Sequence, residues 1–150
     1  EDNIVFLNTG CIDMAILDLD LSDCPELERF VLTRPVKSLN TRFNKYLREL
    51  SIYNAKGISM DLSQNQALEQ LQIKGYDKPI LDISRCDKLW YLDCGNSEIR
   101  EIAVSNQASL KEVIFWDHCP LDVNLKSFNF IRATIDRNNG NITILYEDQP

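Results

Sequence analysis

The sequence predicts a mainly β solenoid, a stack of short coils sharing one core. Three observations carry this. A triplet of apolar residues recurs every 20 or 21 residues along the 150-residue chain. A second pair of apolar positions follows most triplets. The interval between them is too short for a full helix, which excludes helix-containing repeats of about 33 residues or more.

The triplet is clearest at Leu89, Leu92 and Cys94, which read L-x-x-L-x-C. One step forward gives Leu110, Val113 and Phe115; another gives Phe130, Ala133 and Ile135. Steps backward give Leu68, Leu71 and Ile73, then Leu47, Leu50 and Ile52, then Leu27, Phe30 and Leu32. A last step of 21 reaches Phe6, Thr9 and Cys11, where Thr9 is the only polar member. The end of each triplet alternates, as in a strand with one face inward. One such coil cannot bury its apolar face, but stacked coils share a continuous core. At about 4.8 Å per strand, seven coils make a sheet roughly 30 Å long.

The second pairs are Leu19 and Leu21, Met60 and Leu62, Leu81 and Ile83, Ile102 and Val104, and Leu121 and Val123. Asp20, Asp61, Asp82 and Asp122 sit inside four of them, and Ser22, Ser63, Ser84 and Ser105 close four. The unit Leu39-Asn40-Thr41-Arg42 matches worst. These pairs are expected as short strands or turns on the opposite, convex side.

The ladder explains the cysteines. Cys94 fills a slot held elsewhere by Leu32, Ile52 and Ile73, so it reads as a small buried hydrophobe. A catalytic thiolate needs an electropositive neighbour, and Asp93 and Gly95 offer none. Cys24 and Cys86 share another slot, three residues before Leu27 and Leu89. Three coils separate them, too far for a disulfide.

The whole chain, 1–150, reads as one domain of six to seven repeats. Residues 1–26 form a degenerate N-terminal repeat or cap, 27–129 the regular repeats, and 130–150 the last strand and a closing hairpin. Asn139-Gly140 lies between two alternating apolar runs, a strong hairpin signal. Ala133 and Ile135 are expected inward on one strand, Ile142 and Ile144 on the other. The polar tail Glu147–Pro150 reads as a linker to a further domain.

Composition excludes several functions. The net charge of −7 argues against nucleic-acid or anionic-membrane binding, which needs clustered Lys and Arg. No apolar run approaches the roughly 18 residues of a membrane span. No positively charged start precedes an apolar stretch, so no signal segment is read in the chain; a mature exported chain would look the same. There is no CxxC and one histidine, His118, so neither a metal nor a cofactor is expected.

The segment LWYLDCGNSEIREIAVSNQAS, Leu89 to Ser109, closely resembles the 21-residue leucine-rich repeat of exported bacterial surface proteins of the internalin type. LDLSDCPEL, MDLSQNQAL and LDISRCDKL resemble the second half of that repeat. The resemblance covers roughly residues 6 to 130. It implies a leucine-rich repeat solenoid, curved, with a parallel sheet on its concave face. It also implies an exported protein, at the cell surface or secreted, whose concave face binds a partner. The family's buried turn asparagine is weakly kept: Asn96 and Asn54 are its candidates, while Lys74-Gly75, Arg34-Pro35 and Asp117–Pro120 depart from the pattern.

Ladder residues point inward, so their strand neighbours point outward. From these the expected ligand-binding set is Tyr53, Gln72, Lys74, Tyr91, Asp93, Glu112, Ile114, Trp116 and Arg132. Aromatic anchors among polar residues suit recognition, and Trp116 is the leading candidate. A plain solvated sheet face is the competing reading, since aromatics also favour strands. Calcium is a poor fit for the recurring Asp positions, because it wants about six to eight oxygens at one point. His118 beside Cys119 reads as a loop histidine. The function expected is non-catalytic binding of a protein or glycan ligand. The alternatives are a structural spacer without its own ligand and, more remotely, a parallel β-helix carbohydrate-active enzyme. No compact cluster of catalytic carboxylates supports the last.

Overall fold

The structure is a computed structural model that describes residues 6–8, 18–103, 109–110, 112–115, 132–136 and 141–145, with backbone alone for 6–8, 101, 115, 132–136 and 141–145. Its described residues contain strands and turns and no helix. The strands are β1 Phe6–Asn8, β2 Asp18–Asp20, β3 Arg29–Leu32, β4 Ser38–Asn40, β5 Glu49–Ile52 and β6 Gln70–Ile73. They continue with β7 Ile80–Asp82, β8 Tyr91–Asp93, β9 Glu101–Ala103, β10 Glu112–Phe115, β11 Arg132–Asp136 and β12 Asn141–Leu145.

The main sheet runs β1-β3-β5-β6-β8-β10-β12-β11. Its first six strands are parallel, each pairing with the strand one coil away. The register follows the sequence period: Phe30 opposes Leu50, Leu50 opposes Leu71, Leu71 opposes Leu92, and Leu92 opposes Val113. On the other side β2 pairs with β4 and β7 with β9, also parallel. Four complete coils thus run from Asp18 to Glu101, a parallel-strand solenoid.

Between the two sheets lies the core. Leu27, Leu47, Leu68 and Leu89 stack fully buried, as do Leu32, Ile52, Ile73 and Cys94. The convex side contributes Leu21, Leu62, Ile83 and Ile102. Deleting one of these leucines leaves a cavity and costs about 2–5 kcal/mol.

Each coil passes from the short-strand side to the main sheet through one repeated turn. Cys24 N donates to Leu21 O, Asn44 N to Thr41 O, Asn65 N to Leu62 O and Cys86 N to Ile83 O, at 2.9–3.0 Å. The inward side chains of this turn form a column, half-buried Cys24 followed by buried Asn44, Asn65 and Cys86. The Asn44 amide donates to Leu21 O and Cys24 O at 2.9 and 2.7 Å. The Asn65 amide donates to Thr41 O and Asn44 O at 3.0 and 3.1 Å. Each asparagine therefore ties its coil to the preceding one. Cys86 Sγ lies 3.9 Å from Leu62 O, a weak thiol counterpart. Thr41 explains the poorly matching unit. It stands in the slot of Leu21, Leu62 and Ile83, yet is buried, because its hydroxyl donates to Asn65 Oδ1 at 3.0 Å.

Three expectations need correction. The buried turn asparagines are Asn44 and Asn65; Asn54 and Asn96 are exposed. Asn96 instead takes a left-handed backbone, φ 53°, in the column where Gly75 has φ 72°. Asparagine is among the residues that tolerate this conformation. Secondly, β1 pairs with Leu7 opposite Phe30, so the first coil is offset by two residues from the triplet Phe6, Thr9 and Cys11. The shift puts a leucine, not a threonine, in the central apolar slot. Thirdly, β11 does not extend the parallel ladder as a seventh strand. β12 pairs antiparallel with both β10 and β11, and β11 is the edge. Asn-Ile-Thr-Ile-Leu suits an interior strand, whereas charged Arg132 and Asp136 suit an edge. Residues 137–140, with Asn139-Gly140, lie outside the described residues.

Candidate functional site

The outward residues of β3, β5, β6, β8 and β10 line up in columns across the main sheet, the face expected to be concave. Glu49–Ile52 and Gln70–Ile73 alternate half-buried and buried positions. One column runs Arg29, Glu49, Gln70, Tyr91 and Glu112; the next runs Val31, Ser51, Gln72, Asp93 and Ile114. Tyr53 and Lys74 stand just past the strand ends, held in step because Tyr53 N donates to Leu32 O and Lys74 N to Ile52 O.

The structure gathers five of the expected residues into one cluster over β5, β6 and β8. Tyr53 is 48% exposed, and the Lys74 ammonium lies 5.3 Å from its ring centre. Lys74 Nζ is also 4.0 Å from Asp93 Oδ2. Burial raises the Tyr91 phenol above its ordinary range, and Asp93, Glu112 and Tyr53 push the same way. A side-chain hydrogen bond from Gln72 opposes this shift and marks Gln72 as a neighbour of the Tyr91 hydroxyl. Trp90 packs against Tyr91 at 5.7 Å with ring planes at 59°, backing it from the strand margin.

Asp93 differs from the open contact expected of it. Only 3% exposed, it accepts a hydrogen bond from Gly95 N at 2.9 Å and faces Lys74 with its other oxygen. It is a positioning group: a carboxylate buried in the sheet needs partners, and Lys74 supplies the charge. Glu112 and Ile114 lie on β10, half-buried, beside the cluster. Arg132 falls on β11, three strands from β8, with its side chain undescribed, and Trp116 lies outside the described residues.

The cations Arg29 and Arg48 pair with carboxylates on this face. Arg29 Nε meets Glu49 Oε2 at 2.7 Å. At the strand entries Arg48 grips Glu69 with two nitrogens, both at 3.2 Å, and reaches Glu28 at 4.0 Å. The Glu69 bond is the main reason the Arg48 guanidinium is held above its usual value. These pairs follow the repeat, one coil apart, and were missed because single columns of unlike charge resemble a scattered solvated surface.

The convex aspartates serve turns. Asp20, Asp61 and Asp82 each accept the backbone N–H two residues on, from Ser22, Ser63 and Ser84, at 2.9–3.0 Å. Asn40 does the same for Arg42. Two shallow grooves open beside them, one lined by Phe43, Arg42, Asp61 and Gln64, the other by Asp82 and Arg85. Among the described cysteines, Cys24, Cys86 and Cys94 are free thiols. Burial first, then Asp82 and Asp87, pushes Cys86 up to about 12, the opposite of a reactive thiolate.

No family model matches the sequence. No curated protein matches it either. Among solved structures, the chain is similar to the functional domain of InlJ from Listeria monocytogenes, which includes a cysteine ladder. The likeness has a TM-score of 0.60 at 18% identity and covers 89% of this chain. The fold is internalin-like. This chain spans 40% of the length of that InlJ chain. A parallel main sheet, short parallel strands opposite it and a repeated turn are thus the architecture of a leucine-rich repeat solenoid. In this internalin-like fold the turn column mixes two cysteines with two asparagines.

Proposed function

We propose that this domain is a non-catalytic recognition module that contacts a protein or glycan ligand through its concave sheet. One observation carries the reading. Tyr53, Gln72, Lys74 and Tyr91 converge on one patch of the face, over a buried Asp93 that fixes Lys74. An exposed tyrosine ring beside adaptable polar groups is what recognition surfaces use. Folding alone gives little reason to leave half of the Tyr53 ring in water beside the end of β5.

The same reading includes an exported protein, at the cell surface or secreted, and six to seven repeats closed by a C-terminal hairpin cap. The proposed contact surface also includes Glu112, Ile114, Arg132 and Trp116.

A binding screen against extracellular proteins and glycans tests this, run with the parent, Tyr53→Ala, Tyr91→Ala and, as a control on the turn side, Phe43→Ala. Loss of binding in both tyrosine variants with retention in the control supports the concave site. Retention in both, or loss only in Phe43→Ala, moves the site off the sheet. Absence of any ligand favours a spacer.

A further inference from the structure

We propose that the ligand of the concave face is an uncharged, hydroxyl-rich glycan; this rests on the concave-face reading above and narrows it. Charge matching is the starting observation. Three described cations border this surface, and each already has a carboxylate: Arg29 at 2.7 Å, Arg48 at 3.2 Å and Lys74 at 4.0 Å. An anionic ligand would have to compete with these resident carboxylates. Drawing Lys74 away would leave Asp93, 3% exposed, as a buried charge without its cation, which is unfavourable. A cationic ligand would face the same competition from the resident cations.

The remaining chemistry suits sugar. The half-exposed Tyr53 ring presents an apolar face for the C–H side of a pyranose. Gln72 offers both donors and acceptors, and the Tyr91 hydroxyl beside it offers one of each. The Lys74 ammonium, fixed between the Tyr53 ring and Asp93, has three N–H groups to donate to hydroxyl oxygens. Hydrogen bonds from these groups to hydroxyls bring no new charge into the site. A protein partner usually adds charged rim contacts and a salt-dependent on-rate.

The test is a glycan array holding neutral, sialylated, sulfated and uronic-acid members, followed by titration of hits at low and high salt. A neutral glycan should bind, and its affinity should change by less than about twofold between about 50 mM and about 500 mM salt, where exposed charges are screened. Tyr53→Ala should weaken it about tenfold, the loss of about 1.4 kcal/mol. Tyr91→Phe, which keeps the ring and removes the hydroxyl, should weaken it less. Binding restricted to anionic glycans, or affinity that collapses with salt, overturns the proposal. So does the absence of any glycan hit at millimolar concentration. A protein ligand lost in Tyr53→Ala would overturn the glycan inference while sustaining the concave site; binding unaffected by Tyr53→Ala and Tyr91→Phe would sink both.

Discussion

Replacing Asn65 by alanine should destabilise the domain more than replacing Asn44. Both side chains are fully buried in the same turn column. Asn65 makes three hydrogen bonds: its amide donates to Thr41 O and Asn44 O, and its oxygen accepts from the Thr41 hydroxyl. Asn44 makes two, to Leu21 O and Cys24 O, and its oxygen is buried without a partner. The difference lies one coil back, where Thr41 faces Asn65 but Leu21 faces Asn44. Backbone carbonyls in this column also accept a turn N–H, so losing the amide leaves them half satisfied. Each lost bond is then worth about 1 kcal/mol, and the orphaned Thr41 hydroxyl adds about 1 more. Asn65→Ala should cost about 3–4 kcal/mol. Asn44→Ala should cost about 1–2 kcal/mol, because it also removes an oxygen that was already unsatisfied. Urea unfolding followed by circular dichroism measures both, and similar slopes in the two variants license the comparison. Equal costs, or a larger one for Asn44→Ala, would refute the assignment of Thr41 as the partner that distinguishes them.

Thr41→Val should cost about 1–2 kcal/mol alone and almost nothing in the Asn65→Ala background, a coupling that a double-mutant cycle in urea reads directly. Lys74→Met should destabilise by about 1–2 kcal/mol, discounted because Lys74 is partly exposed, and Asp93→Asn added to it should recover most of that loss. Cys86 should resist alkylation in the folded protein while half-buried Cys24 reacts, as mass spectrometry after a short iodoacetamide pulse would show. Its raised ionisation also sets a pH dependence. The folded state holds the thiol protonated up to about 12, against 9.0 for an ordinary thiol. The unfolded chain therefore ionises first, and the Cys86 contribution to stability is complete below pH 9 and declines as pH rises towards 12; Cys86→Ala should flatten that decline.

The repeat made most of this architecture legible. Leu50, Leu71 and Leu92 oppose one another as a spacing of 21 demands, and Asp20, Asp61 and Asp82 recur at one turn position. The asparagine column was within reach, since Asn44 and Asn65 occupy the slot already noted for Cys24 and Cys86. It was obscured because an alternation of thiol and amide does not look like one motif until hydrogen bonds show both serving the turn. At the C-terminus, Ala133 fits the period by spacing, yet spacing does not say which strand of an antiparallel pair meets β10. Burial of Asp93 was also hidden: a period of two puts it outward, but Lys74 and the Gly95 N–H close over its carboxylate. At the N-terminus the offset of two residues in β1 keeps Leu7 in the ladder, a choice that chain continuity from the next coil does not dictate.

The most direct measurement is NMR mapping of backbone amide shifts as a bound ligand is titrated into the isotopically labelled domain. Recognition through the concave sheet requires shifts at Ser51, Gln72, Tyr91 and their strand neighbours, with Ser22, Ser63 and Ser84 on the convex turns unmoved. Shifts concentrated around Phe43 and Tyr46, or along the convex aspartate turns, would contradict it.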